Sequence, residues 1–287
     1  VKQKIKDLAA LSKPGIVAMC LVMAAGGLWL APGGVPASTW LWTMLGLTLS
    51  VSSANAWNMI IERDGDRYMN RTRNRPLPSG RMSVATAVVF ALVTGVASCA
   101  ILWTRVNPLT AAIALAALLG YVGIYTPSKR MTTWSLPIGA VPGAAPPLVG
   151  WAAATGEIGV PAIVLFLILF LWQLPHFLAI SLYRQADYDS AGIVVVPSVY
   201  GEESTKHQAL ISSFLLVPVS LMLVPLHISG FFYFVVATAA GVWFFVLCLR
   251  GYEPAPTQRW ARRFFLASIA YLPILTLAIA VDALLPR

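Results

Sequence analysis

Asn58, Glu62 and Asp66 recur at four-residue intervals, so on a helix their oxygen-bearing side chains share one face. They lie in the run Asn58-Met59-Ile60-Ile61-Glu62-Arg63-Asp64-Gly65-Asp66-Arg67, which continues through Arg71, Arg73 and Arg75 to Pro76-Leu77-Pro78-Ser79-Gly80-Arg81. The chain has only 11 acidic residues, and Glu62, Asp64 and Asp66 are among them. A hard cation such as Mg²⁺ takes one or two carboxylates plus substrate phosphates. Guanidinium groups pair phosphate oxygens in two-point contacts. Acids and arginines packed together at the end of an apolar stretch therefore suit a metal-bridged polyanion, and within a membrane that polyanion would be a lipid diphosphate.

A plainer reading stands beside this one. The acids could form a solvated helix end with local ion pairs, and the arginines could simply hold a loop on one side of a membrane. Against it, a bare charge deep in a bilayer costs about 2.5–3.5 kcal/mol or more, a cost that a bound cation offsets. Asp64 points away from the acid face and toward Arg67 or Arg71. Lys13, Lys129 and Arg130 fall at the ends of other apolar stretches, where they could close the same pocket.

A second acidic patch is Tyr183-Arg184-Gln185-Ala186-Asp187-Tyr188-Asp189, in which Asp187 is a candidate for a further metal and Asp189 a weaker one. His176 sits inside an apolar stretch after Pro175. It is either a hydrogen-bonded core residue, a ligand to a metal or haem iron, or a proton carrier. His207 and His227 read as solvated. Cys20, Cys99 and Cys248 fall within apolar stretches without CxxC spacing and read as small core residues. No GxGxxG, Walker loop, HExxH, zinc-type Cys/His spacing or nucleophile elbow occurs.

The elements that position these residues are membrane helices. Of 287 residues, 58% are hydrophobic and 11% charged, a composition that belongs to polytopic membrane proteins. Apolar stretches long enough to span recur at roughly 14–31, 39–61, 83–103, 107–125, 135–153, 160–182, 208–226, 230–249 and 263–282. They predict an all-α fold of about nine transmembrane helices in a single membrane domain, 1–287, with no room for a soluble one. Span 135–153 holds Pro137, Pro142, Pro146 and Pro147, with Gly139 and Gly143 between, and should be kinked or broken. The leading segment to Ser12 could lie on the membrane surface as an amphipathic helix. Its first apolar stretch reads as a retained helix rather than a cleaved signal.

The net charge of +9 follows topology rather than nucleic acid. Of 20 basic residues, all but Arg105 and Arg287 fall in alternate loops, which places those loops and the N-terminus in the cytoplasm and the C-terminus outside. The two longest inner loops, 62–82 and 183–207, carry both acidic patches, so function concentrates on the cytoplasmic face.

These residues resemble the protohaem IX farnesyltransferase (haem O synthase) family of the intramembrane prenyltransferase superfamily. Asn58, Glu62 and Asp66 match the superfamily's N-x-x-x-D-x-x-x-D metal motif. Glu62-Arg63-Asp64, Arg71-Thr72 and Asn74-Arg75-Pro76-Leu77-Pro78-Ser79-Gly80-Arg81 match the haem branch's extension of it. A second block is Tyr125-Thr126, Lys129-Arg130, Gly143-Ala144 and Pro146-Pro147 to Gly150-Trp151. A third is Trp172, Pro175-His176-Phe177, Tyr183-Arg184, Asp187-Tyr188, Ala191-Gly192 and Gly201-Glu202-Glu203. Pro175-His176-Phe177 separates the haem branch from quinone-pathway relatives. Departures are Met59, Glu62 in place of Asp, Ser135 in place of Asn, and Val194-Val195-Val196 in place of Pro-Met-Leu.

The resemblance implies a nine-helix fold around a central cavity open to the cytoplasmic face of the cell (inner) membrane. It implies Mg²⁺-dependent transfer of farnesyl from farnesyl diphosphate to a vinyl group of haem B. Asn58, Glu62, Asp66 and Asp187 would serve as metal ligands and catalytic residues. Arg71, Arg75, Lys129, Arg130, Lys13, His176, Tyr183 and Arg184 would contact substrate. Membrane lipid surrounds the chain, and haem A synthase is the candidate recipient of product. The rival readings are a quinone-pathway prenyltransferase and a non-enzymatic transporter of haem or an anionic lipid.

Overall fold

The computed structural model describes residues 2–254 and 256–285, with the Lys2 side chain excepted. Val1 and Arg287, and with them the charge assigned to the C-terminal end, lie outside the described residues. Among those described there are helices and no strand. In chain order they are α1 Lys2–Ser12, α2 Pro14–Leu30, α3 Ala37–Asp66, α4 Val84–Arg105, α5 Pro108–Leu119 and a π-helical turn Gly120–Tyr125. Next come α6 Thr126–Ser128, α7 Ser135–Gly143, α8 Pro146–Thr155, α9 Val160–Tyr183 and α10 Gln185–Ser190. Then follow α11 Val196–Leu221, α12 Phe231–Leu249, a 3₁₀ turn Arg250–Tyr252 and α13 Thr257–Asp282.

Among the described residues, five segments are long and apolar enough to cross a membrane: α4, α5 through α6, α9, α12 through Tyr252, and α13. Counting the bent pair α1–α2, which turns by 45°, makes six. The other expected spans differ for local reasons. Span 39–61 lies in α3, whose 30 residues include Ser50, Ser52, Ser53, Asn55, Asn58 and Glu62. Span 135–153 is interrupted, as its prolines predict, into α7 and α8 at Ala144-Ala145. Span 208–226 falls on α11, which begins earlier at Val196 and carries Glu202, Glu203 and Lys206. The stretch 196–207, expected as loop, is thus helical on either side of a kink at Gly201, whose φ is 80°, with Lys206 Nζ on Glu203 Oε1 at 2.9 Å, one turn apart.

The chain divides into two compact units, Val1–Ala162 with Ser190–Ile193, and Ile163–Asp189 with Val194–Arg287. In the first, Asn107 caps α5 by accepting the Thr110 N–H at 2.8 Å, with Pro108 at the first helical position. Helices α2 and α8 approach so closely that a Cβ at Gly27 would meet the Pro147 carbonyl, and one at Gly150 the Ala24 carbonyl. Small residues permit this approach, whereas Gly139, in the stretch 135–153, makes room for the Tyr125 ring instead. Helix α1 packs on its neighbours through Asp7 and Leu11 and leaves Gln3, Lys4, Ile5 and Lys6 exposed. Leu11 is fully buried with Ala56, Met59, Ile60, Leu77, Ala87 and Ala91. The Asn55 amide donates to the Ser12 carbonyl at 2.9 Å, and Arg81 reaches Asp7 at 3.3 Å.

In the second unit, Phe244 stacks on Phe264 at 4.7 Å and lies 5.2 Å from Tyr271. The Tyr233 hydroxyl donates to the Ser220 carbonyl at 2.8 Å. The buried Asp282 carboxylate at the end of α13 accepts from the backbone N–H groups of Gly230 and Tyr233, capping α12 from a neighbouring helix.

Candidate active site

The last two turns of α3 carry the acid face into the first unit. Asn58 is 1% exposed and Asp66 0%, so this is no solvated helix end. The Lys13 ammonium donates to Asn58 Oδ1 at 2.9 Å, and the Asn58 amide nitrogen donates to Thr126 Oγ1 at 3.3 Å. Thr126 in turn donates to the Tyr121 carbonyl at 2.8 Å, an i to i−5 contact set by the π turn. Such turns interrupt a regular helix and collect at functional sites.

Lys129 Nζ sits 2.7 Å from Glu62 Oε1 and 4.4 Å above the Tyr125 ring. Burial opposes the Lys129 charge, but the Tyr125 and Glu62 oxygens more than offset that and hold its pKa above the ordinary lysine value. Gly139 leaves space for the Tyr125 ring, which a Cβ there would strike. Arg75 Nη1 donates to Asp66 Oδ2 at 2.7 Å, and the Thr72 hydroxyl donates to the Asp66 carbonyl at 2.9 Å. Arg130 lies against Gly65, where any Cβ would displace its guanidinium.

A small cavity opens here, lined by Glu62, Asp66, Thr126, Lys129, Arg130 and Ala191 with Gly65, Met69 and Ile193. Asp66 Oδ1, fully buried, has no hydrogen-bond partner among the described residues. A buried acceptor without a partner costs about 1–3 kcal/mol or more, so this oxygen is open to a cation or a water. Two carboxylates, Glu62 and Asp66, line the cavity, and the Asn58 amide is joined to it through Thr126; among the described residues no group of three or more His, Cys, Asp or Glu is gathered. That set fits Mg²⁺, which keeps few protein ligands and fills its shell from phosphate and water.

Lys13 itself is one of two non-glycine residues at positive φ (50°) among those described, held between Ser12 and Pro14. The left-handed backbone is strained for lysine, and such strain concentrates at functional sites. It directs the ammonium to Asn58 rather than to solvent.

The structure therefore brings together Lys13, Asn58, Glu62, Asp66, Arg75, Lys129 and Arg130. Arg71 stands exposed in the turns after α3 and is not among the cavity's lining residues. Asp64 pairs with Arg63 at 3.7 Å, not with Arg67 or Arg71, because adjacent side chains at the exposed helix end meet first. Thr126, Gly65 and Gly139 carry no chemical signature of their own, and only Thr126 falls within a family block.

In the second unit, Arg184 lies 3.7 Å from Asp187 and 4.6 Å over the Tyr183 ring, with Arg262 at 6.0 Å from the same ring. Ser198 donates to Asp189. His176, half-buried in α9, stacks on Trp172 at 4.7 Å and lies 4.8 Å from the Phe265 ring, with Nδ1 at 2.7 Å from Ser268 Oγ. Ser268 was not foreseeable: a lone serine in an apolar helix reads as packing. His207 is exposed and contacts the Glu203 carbonyl. Cys20, Cys99 and Cys248 are free thiols.

A helical membrane protein whose buried acids meet lysines and arginines around an unpaired carboxylate oxygen carries a concentrated polar site at the end of an apolar helix. The chain belongs to the UbiA prenyltransferase family, whose sequence profile matches residues 20–269. It is 45% identical over 285 residues to a protoheme IX farnesyltransferase of Anaeromyxobacter sp., covering 98% of this chain and 95% of that one. It is 44% identical to the protoheme IX farnesyltransferase of Myxococcus xanthus, over 96% and 94% of the two chains. Among solved structures it is similar to a digeranylgeranylglyceryl phosphate synthase, with a TM-score of 0.84 at 18% identity over 98% and 99% of the chains. It is also similar to a UbiA homologue from Archaeoglobus fulgidus bound to GPP and Mg²⁺, with a TM-score of 0.68 at 15% identity over 96% and 99%. At these identities the structures speak for the fold alone.

Proposed function

We propose that this protein transfers farnesyl from farnesyl diphosphate to a vinyl group of haem B, giving haem O and diphosphate. The observation that carries the chemistry is the buried Asp66 carboxylate, one oxygen on Arg75 and the other unpaired. Full-length similarity to protoheme IX farnesyltransferases supports the substrate pair.

Asn58, Glu62 and Asp66 would hold Mg²⁺, with Asp187 the further carboxylate expected from the sequence. Bound there, the cation neutralises charge on the departing diphosphate. The chain's own residues do the rest. Arg75, Lys129 and Arg130 donate to phosphate oxygens as charge develops on the leaving group, and Lys13 orients the Asn58 amide. The allylic C–O bond breaks, and its electron pair leaves with diphosphate. The haem vinyl π-pair forms the new C–C bond, and water then adds to the resulting cation with loss of a proton. Apolar walls keep water from the allylic cation before the vinyl group reaches it. His176 orients haem through its iron.

In this reading the chain is a single prenyltransferase domain of a multi-pass cell-membrane protein, N-terminus cytoplasmic and C-terminus external. Its cavity is open to the cytoplasm, where both substrates are met. Arg71, Tyr183 and Arg184 add substrate contacts, and product passes to haem A synthase or the lipid phase.

Purified protein incubated with haem B, an aromatic carboxylic acid, farnesyl diphosphate and Mg²⁺, followed by mass spectrometry, tests this. A haem-plus-farnesyl-plus-water mass is expected. Farnesylation of an aromatic acid with haem B untouched would overturn it in favour of a quinone-pathway enzyme.

A further inference from the structure

Outside the acid cluster, the polar arrangement least explained by packing is the one around His176. We propose that Ser268 is a positioning residue for His176: it accepts the Nδ1 proton and leaves the Nε2 lone pair aimed at haem iron. This rests on the reading of His176 as a haem contact.

The assignment follows from where the protons can go. Ser268 is fully buried and its hydroxyl has one proton. Its Oγ lies 2.6 Å from the Phe265 carbonyl, one turn earlier in α13, and 2.7 Å from His176 Nδ1. If the hydroxyl donates to Phe265, its lone pairs are free to accept from Nδ1–H, and all the donors are satisfied. If it donates to Nδ1 instead, no proton lies between the Ser268 hydroxyl oxygen and the Phe265 carbonyl oxygen, and two lone-pair-bearing oxygens face each other at 2.6 Å. That is the distance of an O–H···O hydrogen bond, and without the proton the contact is repulsive. The first arrangement wins.

The ring is also held in rotation. Trp172 stacks on it at 4.7 Å with 23° between planes, and Phe265 lies at 4.8 Å. The Trp172 indole N–H donates to the Ser268 carbonyl at 2.7 Å, so the residue that covers the imidazole is tied to the residue that accepts its proton. Iron-ligating histidines are held in this way: the distal ring N–H gives its proton to a fixed acceptor, which sets the tautomer and makes the ligating nitrogen more basic. Here the acceptor is a neutral hydroxyl rather than a carboxylate, consistent with a site that carries no compensating charge.

The test uses the full chain in detergent, with His176→Ala, Ser268→Ala and Ser268→Thr. Haem B binding is followed by absorbance, and the ferrous iron–histidine stretch by resonance Raman. Farnesyl diphosphate binding by calorimetry reports on folding. His176→Ala is expected to abolish the stretch. Ser268→Ala should weaken haem binding about 10–100-fold and lower the stretching frequency, with farnesyl diphosphate binding unchanged. Ser268→Thr, which keeps the hydroxyl, should restore the parent frequency. If His176→Ala leaves the haem spectrum unchanged, the haem-contact reading of His176 fails. If His176→Ala alters it and Ser268→Ala does not, the role of Ser268 fails while that reading survives. Equal damage in Ser268→Ala and Ser268→Thr, or loss of diphosphate binding in Ser268→Ala, would mark Ser268 as packing and overturn the proposal.

Discussion

The two polar regions of this chain solve the same solvation problem in opposite ways. Around the end of α3, charge is buried against charge: Glu62 on Lys129 at 2.7 Å, Asp66 on Arg75 at 2.7 Å, Lys13 on the Asn58 amide. Around His176 the partners are neutral: a hydroxyl, an indole N–H, a backbone carbonyl and two aromatic faces. Ion pairs in a low-dielectric site are strong, yet each member can be handed to another ion of the right sign. A neutral network is weaker per bond but directional, so it fixes an angle rather than a charge. The first arrangement suits a ligand that brings and removes charge, as a diphosphate does. The second suits a flat apolar ligand that must be held in one orientation.

The comparison breaks most sharply at the acids. Asp66→Asn and Glu62→Gln keep shape and remove charge, and each is expected to lower haem O formation by at least about 10²–10³-fold, as should a chelator. The protein should still insert, because both side chains face the cavity. Activity within twofold of the parent in either variant, read by mass spectrometry, would end the role of the acid face.

A smaller and opposite effect is expected at the histidine. His176→Ala should weaken haem binding by at least the roughly 10–100-fold that losing a ligand's supporting residue costs, while farnesyl diphosphate binds as in the parent. Asp66→Asn should show the reverse pattern. Absorbance titration and calorimetry on both variants read this crossing directly, and parallel losses in both would merge the two regions into one site.

A third change touches neither region. Gly150→Ala places a methyl against the Ala24 carbonyl where α2 and α8 meet. Overpacking of this kind costs about 1–3 kcal/mol, measurable as a lower unfolding midpoint in mixed detergent. A midpoint equal to that of the parent would show that the helices separate easily.

The last test reads sidedness rather than activity. A single cysteine at the exposed Arg71 should be shielded in sealed cells and one at the exposed Glu157 labelled from outside, both in a chain whose own cysteines are replaced. Labelling at 71 would move the charged region to the other face.

Much of the acid region was legible before any coordinates. Four-residue spacing puts Asn58, Glu62 and Asp66 on one face whatever the fold, and the proline-rich stretch 135–153 breaks where its prolines predict. The helix count was less legible, because apolar length does not distinguish a clean span from α3, which buries serines and asparagines against its neighbours. The docking of α1 was hidden for a related reason: Leu8 and Leu11 look the same whether they face lipid or Ala56, Ile60 and Leu77.

By itself the sequence determined the membrane class, the clustering of its basic residues, the shared face of the acids and the family blocks. All of these follow from composition and short-range periodicity. Only the tertiary structure decided the partners: Lys129 for Glu62 across 67 residues, Arg75 for Asp66, and Ser268 for His176 across 92. Helical periodicity states which way a side chain points along its own helix. What it meets there depends on how distant helices pack, and that is set by close approaches such as Gly65 under Arg130 and Gly139 under Tyr125, whose meaning exists only once the neighbour is in place.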